Sequence, residues 1–248
     1  MPFKHGRLFE VLHGTATTAQ DISTFLFSSQ FNTYVQMSEV STAKSTYKSF
    51  IAGPAFSQFF GYGYYDPTLT AVRLSLQASS GILNYAPAGA TTIGDLVRLQ
   101  TFNSSNYKES SKTTNPVGFT WQADSTAPQG TSSGMVGYGV SLHPLASENV
   151  GTITGTGDGV MTSAAGTGLI AHLHVTAYTA GTHQFKLQDA TTQGGAYTDI
   201  AGGAFTNMTS LGAQRLVVVG TVRQFVRAVA TIGTAAATYS IAVARYPT

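Results

Sequence analysis

The chain has 248 residues, with 13 lysine and arginine residues against 11 aspartate and glutamate residues, a formal net charge of +2. An apolar content of 42% and an aromatic content of 11% exclude a disordered chain, because disorder requires few apolar residues and a high net charge. The absence of cysteine excludes a disulfide scaffold and thiolate chemistry. Only 10% of residues are charged, which argues against charge-driven nucleic acid binding and favours a surface covered by copies of the same chain.

The sequence shows no feature of a membrane protein or an exported protein. No stretch of about 20 apolar residues is present, so we expect no membrane-spanning helix and no membrane partner. The first 20 residues contain basic side chains but no apolar run of the length of a signal peptide. We therefore expect a protein that is made and assembled in a cytoplasm.

One helix is predicted, near residues 67–78. Asp66 is suited to cap its amino terminus, Pro67 fits the first helical position, and three apolar residues fall on one face: Leu69, Val72 and Leu76. A weaker start lies at Asp21, where the pattern allows about two helical turns as far as Leu26.

The rest of the chain alternates between apolar and polar residues in short segments, the pattern of half-buried β-strands. Clusters of glycine, serine, asparagine and proline separate these segments, which favours antiparallel pairing. We predict an all-β fold with one short flanking helix. The clearest predicted strands are Phe31–Met37, Val97–Phe102, Val117–Gln122, Ala171–Ala177, Phe185–Gln188 and Tyr239–Ala244.

A change of composition between Glu148 and Leu169 predicts a domain boundary. Residues 149–168 are nearly all glycine, threonine, serine and alanine, which is typical of a linker or a long loop. The chain is therefore divided into a β domain over 1–148 and a C-terminal domain over 169–248. The length and strand pattern of the second part predict an immunoglobulin-like β-sandwich.

His172 and His174 are the candidate metal ligands. Their spacing places two imidazoles on one face of a strand, an arrangement that suits Zn²⁺ when further ligands are present. No cysteine exists, and the other histidines are scattered: His5, His13, His143 and His183. We favour a solvated or interface face for the pair and predict no metal site.

No catalytic constellation is visible among the carboxylates. Asp66 is explained as a helix cap and Asp95 as a turn residue, while Asp189 and Asp199 flank a predicted hairpin. The G-x-S-x-G elbow of hydrolases and the G-x-x-x-x-G-K-[ST] phosphate loop are both missing. We predict that the protein is not an enzyme and has no catalytic or cofactor-binding residues.

The spaced glycines Gly155, Gly157 and Gly159 fit a linker better than a binding loop. They lack the strong preceding strand and the following helix of a dinucleotide-binding fingerprint. Asp158 alone supplies too few carboxylates for a calcium loop.

Two further patterns leave alternatives open. Arg223, Phe225 and Arg227 share one strand face, with Arg215 and Arg245 on neighbouring segments. Such a cluster suits an anionic partner or stacking on aromatic rings, but an ordinary outer face or a subunit salt bridge is favoured. The aromatic block Gly61–Tyr65, preceded by Phe56, Phe59 and Phe60, is able to stack on sugars or bases. For that block we favour packing or a subunit contact, since glycines alternate with its tyrosines.

The order of these patterns resembles the tail tube (major tail) proteins of long-tailed bacteriophages. The N-terminal segments that carry the resemblance are Asp21–Leu26, Phe31–Val40, Ser41–Lys48, Phe50–Gly53, Phe56–Tyr64, Asp66–Pro67, Leu83–Pro87, Gly94–Phe102, Asn106–Ser111, Val117–Ala123 and Gly139–His143. The C-terminal half is similar to a β-sandwich appended to some phage structural proteins, through Ala171–Ala177, Tyr197–Asp199, Val219–Val222, Phe225–Ala228 and Val243–Arg245.

The resemblance implies a structural protein of the virion tail. Its subunits would form stacked, hexameric rings whose sheets join into an inner barrel, and genomic DNA would pass through the lumen without specific binding. The partners implied are further copies of the chain and other tail proteins: the tape measure, terminator and distal tail proteins. The C-terminal sandwich would decorate the outside, where host surface glycans are a further partner.

The expected inter-ring loop is Ser38–Phe50 or Asn103–Pro116, because both segments are polar, long and bounded by strands. The alternatives to a tube subunit are a capsid decoration protein, another virion surface protein, or a carbohydrate-binding module.

Overall fold

The computed structural model describes residues 8–39, 50–64, 76–77, 79–112, 115–126, 137–155, 159–160 and 166–245. The strands are β1 (Glu10–Gly14), β2 (Ala19–Asp21), β3 (Leu26–Glu39), β4 (Phe50–Tyr64), β5 (Ser80–Ala86), β6 (Leu96–Lys112), β7 (Asn115–Ser125), β8 (Gly137–Glu148), β9 (Gly151–Thr154), β10 (Gly159–Val160), β11 (Gly166–Tyr178), β12 (Gln184–Ala190), β13 (Thr198–Ala204), β14 (Gly212–Val222), β15 (Phe225–Ile232) and β16 (Ala237–Arg245). The predicted all-β class is confirmed.

Helical structure is scarce in the described part of the chain. The helix predicted near 67–78 falls on residues outside the description, apart from Leu76 and Gln77, which are helical. The weaker start at Asp21 gives a single 3₁₀ turn over Ser23–Phe25 instead of two turns. The Asp21 carboxylate accepts hydrogen bonds there from the backbone N–H of Ser23, at 2.9 Å, and from its hydroxyl. Within the described ranges, no helix is long and apolar enough to cross a membrane.

The strands form two antiparallel sheets. The larger sheet has the order β14-β11-β16-β8-β6-β5-β1-β2, and β7, β4 and β3 extend from β6 as a branch. The smaller sheet has the order β10-β15-β12-β13, with β9 also paired to β15. The two halves of the chain are joined in the larger sheet, because β8 pairs with β16 from Val140↔Val243 to Glu148↔Ala237.

Two segments predicted to lack regular structure contain strands. Within 149–168, β9 and β10 pair with β15 and β11 begins at Gly166. The predicted loop Asn103–Pro116 is wrong, since β6 extends to Lys112 and pairs with β7 through Lys112↔Asn115. The division into domains 1–148 and 169–248 stays a prediction.

Two apolar cores lie on either side of the molecule's central strands. The first contains Trp121, Phe59, Phe102 and Leu83, and Leu76 packs into it. The second contains Leu173, Val175 and Ile241 of the larger sheet and Phe185 and Leu187 of the smaller one. The strands β11 and β16 therefore belong to a sandwich. Ala171, Leu173 and Val175 of the predicted period-2 pattern point into its core, whereas Ala177, which follows a register shift after Val175, is exposed.

The larger sheet curls so that its first strands touch its last. The backbone N–H of Ala213 donates to the carbonyl of Thr15 at 2.7 Å, which links the end of β1 to β14. A Cβ atom on Gly14 would lie 2.3 Å from the Cβ atom of Ala213 and 3.0 Å from a ring carbon of His174. The closure therefore requires glycine at position 14. We call this contact between β1 and the β11–β14 pair the seam.

Gly14→Ala is expected to destabilise the fold by about 1–3 kcal/mol, because the added methyl group overpacks the seam. Urea unfolding followed by circular dichroism measures this difference. Gly118→Ala on β7 is the matched control, since a Cβ atom there meets its first neighbour at 3.5 Å. Equal stability of the two variants would contradict the described closure.

Candidate functional site

The branch β3-β4-β7-β6 forms a four-stranded segment with an accessible edge on each side. Strand β3 pairs with β4 only, so its other edge has no partner strand in the described structure. Strand β6 pairs with β5 through residues 98–103 and with β7 through residues 102–112. Because β7 and β5 lie on opposite sides of β6, no described strand pairs with residues 106–112 on the β5 side. Unpaired strand edges are templates for pairing with another chain.

Exposed apolar side chains accompany the β3 edge. Val35 is 47% exposed and Met37 is 55% exposed, although both lie in a strand. At the other end of β3, the rings of Phe27 and Tyr64 lie 4.9 Å apart and both side chains are more than half exposed. The aromatic block of the sequence is thus divided: Phe59 is fully buried, as packing predicts, whereas Tyr64 stands on the surface.

The outer face of the four-stranded segment is rich in amides and hydroxyls. Cross-strand pairing aligns Gln30, Phe60, Gln122 and Asn106 in one row, and Ser28, Tyr62, Thr120 and Lys108 in the next. A shallow depression of about 160 Å³ lies at these rows, with Trp121 at its floor. Among the described side chains aligned on this face, Lys108 and Asp124 are charged, and the Asp124 carboxylate accepts a hydrogen bond from Gln122 Nε2 at 2.9 Å. The described part of the face is therefore mostly polar and uncharged.

The histidine pair of β11 lies in the seam and not at a solvated face. His172 and His174 are 1% and 0% exposed. The Nδ1–H of His172 donates to Asn84 Oδ1 at 2.8 Å, while the Asn84 Nδ2–H points to His174 Nδ1 at 3.4 Å. Asn84 thereby fixes both imidazoles as neutral tautomers. Across the described residues, no group of three or more histidine, aspartate or glutamate side chains is placed to hold a metal ion.

Burial in the seam controls the ionisation of its histidines. Desolvation lowers the pKa of His13 from 6.5 to about 4 and that of His174 to about 3. The pKa of His172 lies well below 6.5, chiefly through desolvation and also through the nearby His174 and Arg215. Protonation of His174 at Nδ1 would also be unfavourable because the new N–H and the Asn84 Nδ2–H, both donors, would then face each other without an acceptor. The arrangement suits a neutral structural cluster, not a proton-transfer site.

The carboxylates occupy structural positions. Asp95 closes a turn, since its Oδ2 accepts from the backbone N–H and the hydroxyl of Thr92 at 2.9 and 3.0 Å. Asp189 and Asp199 flank the β12–β13 hairpin through the pairs Asp189↔Thr198 and Gln188↔Asp199, as predicted. Asp66, Gly157 and Asp158 lie outside the described residues. Burial and the nearby Asp21 raise the pKa of Glu10 to about 7, although Glu10 has no catalytic partner beside it.

The arginines of the C-terminal half have different surroundings. Arg223 binds Asp189, with its backbone N–H and its Nε each 2.8 Å from a carboxylate oxygen. Arg245 donates from Nη1 to the carbonyl of Val222 at 2.7 Å. Arg227 contacts an amide and a tyrosine ring, and no carboxylate. Arg223 therefore forms an ion pair within the chain, and the contacts of Arg227 include no carboxylate of the described residues.

Comparison with known proteins gives structural neighbours but no relatives by sequence. No protein family model matches the chain. No curated protein matches it either. The tail of an empty gene transfer agent (GTA) particle, refined with C6 symmetry, aligns with 50% of this chain and 96% of its own, at 8% identity and a TM-score of 0.38.

Two further solved structures give similar values. The virion of a native gene transfer agent particle contains a chain that aligns with 54% of this chain and 100% of its own, at 10% identity and a TM-score of 0.37. The Dit hub protein of phage SPP1 aligns with 96% of this chain and 98% of its own, at 9% identity and a TM-score of 0.36. Scores of this size establish neither a shared fold nor a function.

The seam histidines predict that stability decreases in acid. Histidines of the unfolded chain titrate near pH 6.5, whereas those of the seam stay neutral to about pH 4 or below. Unfolding therefore takes up protons below pH 6.5, and each buried histidine contributes a loss of up to about 1.4 kcal/mol per pH unit. Glu10 acts in the opposite direction between about pH 7 and 4.5, but three histidines outweigh one glutamate. Urea unfolding at pH 7, 6, 5 and 4.5 measures the slope.

His13→Phe is the informative variant for this prediction. The ring of His13 already packs against Phe102 and Trp121, at centroid distances of 5.1 and 5.4 Å, so a phenyl group fits among apolar neighbours. The stability of this variant is expected to depend less steeply on pH than that of the wild type. An unchanged slope would show that His13 is not held neutral by burial.

Proposed function

We propose that the protein is a structural component of a virion tail, which assembles into stacked, hexameric rings that form a DNA-conducting tube. The observation that carries this proposal is the pair of accessible edges on one four-stranded segment, at β3 and at residues 106–112 of β6. The low charge of the chain and the absence of a catalytic constellation among the described residues support the same function. Assembly would take place in the host cytoplasm.

Two different edges on opposite sides of a segment favour a head-to-tail contact. If β3 of one copy pairs with β6 of the next, the sheet continues from copy to copy. A contact of this heterologous kind closes into a ring when its rotation closes, and the ring has no remaining edges. The exposed Val35 and Met37 would become buried at the joint, and this would offset the entropy lost when the subunits associate.

The outer face of the four-stranded segment suits the wall of the bore. Tight DNA binding requires many lysine and arginine side chains, since each phosphate contact adds electrostatic affinity. Among the described side chains on this face, Lys108 and Asp124 carry opposite charges, and the others are amides, hydroxyls and aromatic rings. Such a wall lets a polyanion pass without holding it. The C-terminal five-stranded sheet would then lie toward the outside of the tube.

The remaining parts of the proposal concern contacts along the tube. The polar segment Ser38–Phe50 would reach the next ring; its residues 40–49 lie outside the described structure. The ends of the tube would contact other tail proteins, namely the tape measure, terminator and distal tail proteins. These contacts follow from the resemblance of the sequence to tail tube proteins.

Lysine substitutions at the β3 edge test ring assembly. The double variant Val35→Lys/Met37→Lys keeps β3 in place, because both side chains are exposed in the single chain. Two added charges at the joint are expected to raise the protein concentration needed for assembly by about tenfold or more. Sedimentation velocity and negative-stain microscopy of the full chain measure the change. Rings or tubes of uniform width are expected for the wild type.

Val219→Lys on β14 is the matched control, since Val219 is 85% exposed and distant from both edges in the sheet order. This variant is expected to assemble like the wild type. A wild-type chain that stays monomeric at high concentration would overturn the proposed function. Equal loss of assembly in the control and the edge variant would show that β3 is not the contact.

A further inference from the structure

The outer face of the five-stranded sheet carries a row of polar side chains that its fold does not require. Cross-strand pairing places Asp199 of β13, Gln188 of β12 and Arg227 of β15 side by side. Alternate residues on these strands, such as Leu187 and Val226, point into the sandwich core. The row itself faces outward, and exposed polar contacts of this kind add little to stability.

Arg227 is held in one orientation by two neighbours. Its Nε and Nη2 donate to Gln188 Oε1 at 2.9 and 2.7 Å, which occupies one edge of the guanidinium. The carbon at the centre of the guanidinium lies 4.2 Å from the centroid of the Tyr197 ring. Tyr197 belongs to the β12–β13 connection and reaches across β12 to make this contact. The second edge, formed by Nη1 and the remaining Nη2 hydrogen, has no partner among the described residues.

The charge of Arg227 also has no counterion among the described residues. Arg223, which precedes β15, is neutralised by Asp189. Asp199 is paired with Lys186 at 2.9 Å, and its other oxygen accepts from Gln188 Nε2 at 2.7 Å. A planar guanidinium with one open edge matches a carboxylate by two parallel hydrogen bonds. An anion is thus the complementary group for Arg227.

The side chains beside Arg227 indicate which class of ligand would supply the anionic group. Asp199 presents a carboxylate whose ionised form is favoured, because hydrogen bonds from Lys186 and Gln188 lower its pKa. Beside the Asp199 carboxylate, the Lys186 ammonium has N–H donors in addition to the one that binds Asp199. Adjacent donors and acceptors in open contact with water are matched by hydroxyl groups, which donate and accept at once. A ligand with one carboxylate and several hydroxyls satisfies both parts of the row.

We propose that this face, formed by Arg227, Tyr197, Gln188, Lys186 and Asp199, binds an acidic saccharide. The sugar carboxylate would occupy the open edge of Arg227, and ring hydroxyls would contact Lys186 and Asp199. The site lies within a single chain, so binding does not depend on ring formation. In an assembly, many copies of a weak site would act together through avidity.

Titration of the full chain with defined sugars tests the proposal. The acidic probes are trigalacturonic acid and sialyllactose; the neutral probe is a galactose trisaccharide, and glycerol phosphate serves as a phosphate probe. Calorimetry or NMR shift titration is expected to detect at least one acidic probe, with an affinity about tenfold or more above that of the neutral sugar. Failure of both acidic probes, or preference for glycerol phosphate, would overturn the proposal.

Two variants locate the site. Arg227→Lys keeps the charge but loses the two-pronged hydrogen-bond geometry, so the affinity for the acidic probe is expected to fall about tenfold. Lys108→Gln, on the distant four-stranded segment, removes one positive charge and is expected to bind like the wild type. Circular dichroism verifies that both variants are folded. Equal affinities of Arg227→Lys and the wild type, or an equal loss in both variants, would contradict a site at Arg227.

Discussion

Two strand edges that have no partner strand in the described structure are the feature on which the proposed assembly depends. Strand β3 has one described partner, and residues 106–112 of β6 have a described partner only on the β7 side. A strand edge without a partner strand is able to pair with another chain, and long edges with apolar side chains favour such pairing. The proposed ring assembly depends on the pairing of these two edges with each other.

The seam holds β1 against β11 and β14, and β1 is connected to the four-stranded segment through β5 and β6. Gly14 lets β1 approach Ala213, and the neutral histidines His172 and His174 share Asn84 behind that contact. Because β1 and β5 also border the core around Trp121, the seam connects the two cores through strands that are buried on both sides. Loss of the seam in acid would therefore loosen the molecule between its two cores. The proposed saccharide face lies on the side of the smaller sheet that faces away from the second core.

The sequence was sufficient to predict the fold class and many strands, because period-2 patterns such as Ala171–Ala177 depend only on local alternation. Other features depended on contacts between distant segments. His172 and His174 alternate with core residues, a pattern that predicts a solvated or interface face. In the structure, Asn84 covers that face of the strand, and it lies 88 positions from His172 in the sequence. The composition of Asn103–Pro116 predicts a loop, because a strand with little apolar content resembles a loop in composition, but β6 continues to Lys112. The polar row around Arg227 likewise forms only when β12, β13 and β15 pair. From the sequence alone, Arg227 was the only member of this row that we identified as a candidate.

Disulfide trapping tests the central claim most directly, because the chain has no cysteine of its own. Asn32→Cys on β3 is combined in turn with Asn106→Cys, Lys108→Cys or Ser110→Cys on β6, all on the outer face of the four-stranded segment. If β3 pairs with β6 of the next copy, one of these registers brings two cysteines within bonding distance and oxidation yields a ladder of multimers that ends at the hexamer. Monomers alone in all three registers, at concentrations where the chain is associated, would contradict the account.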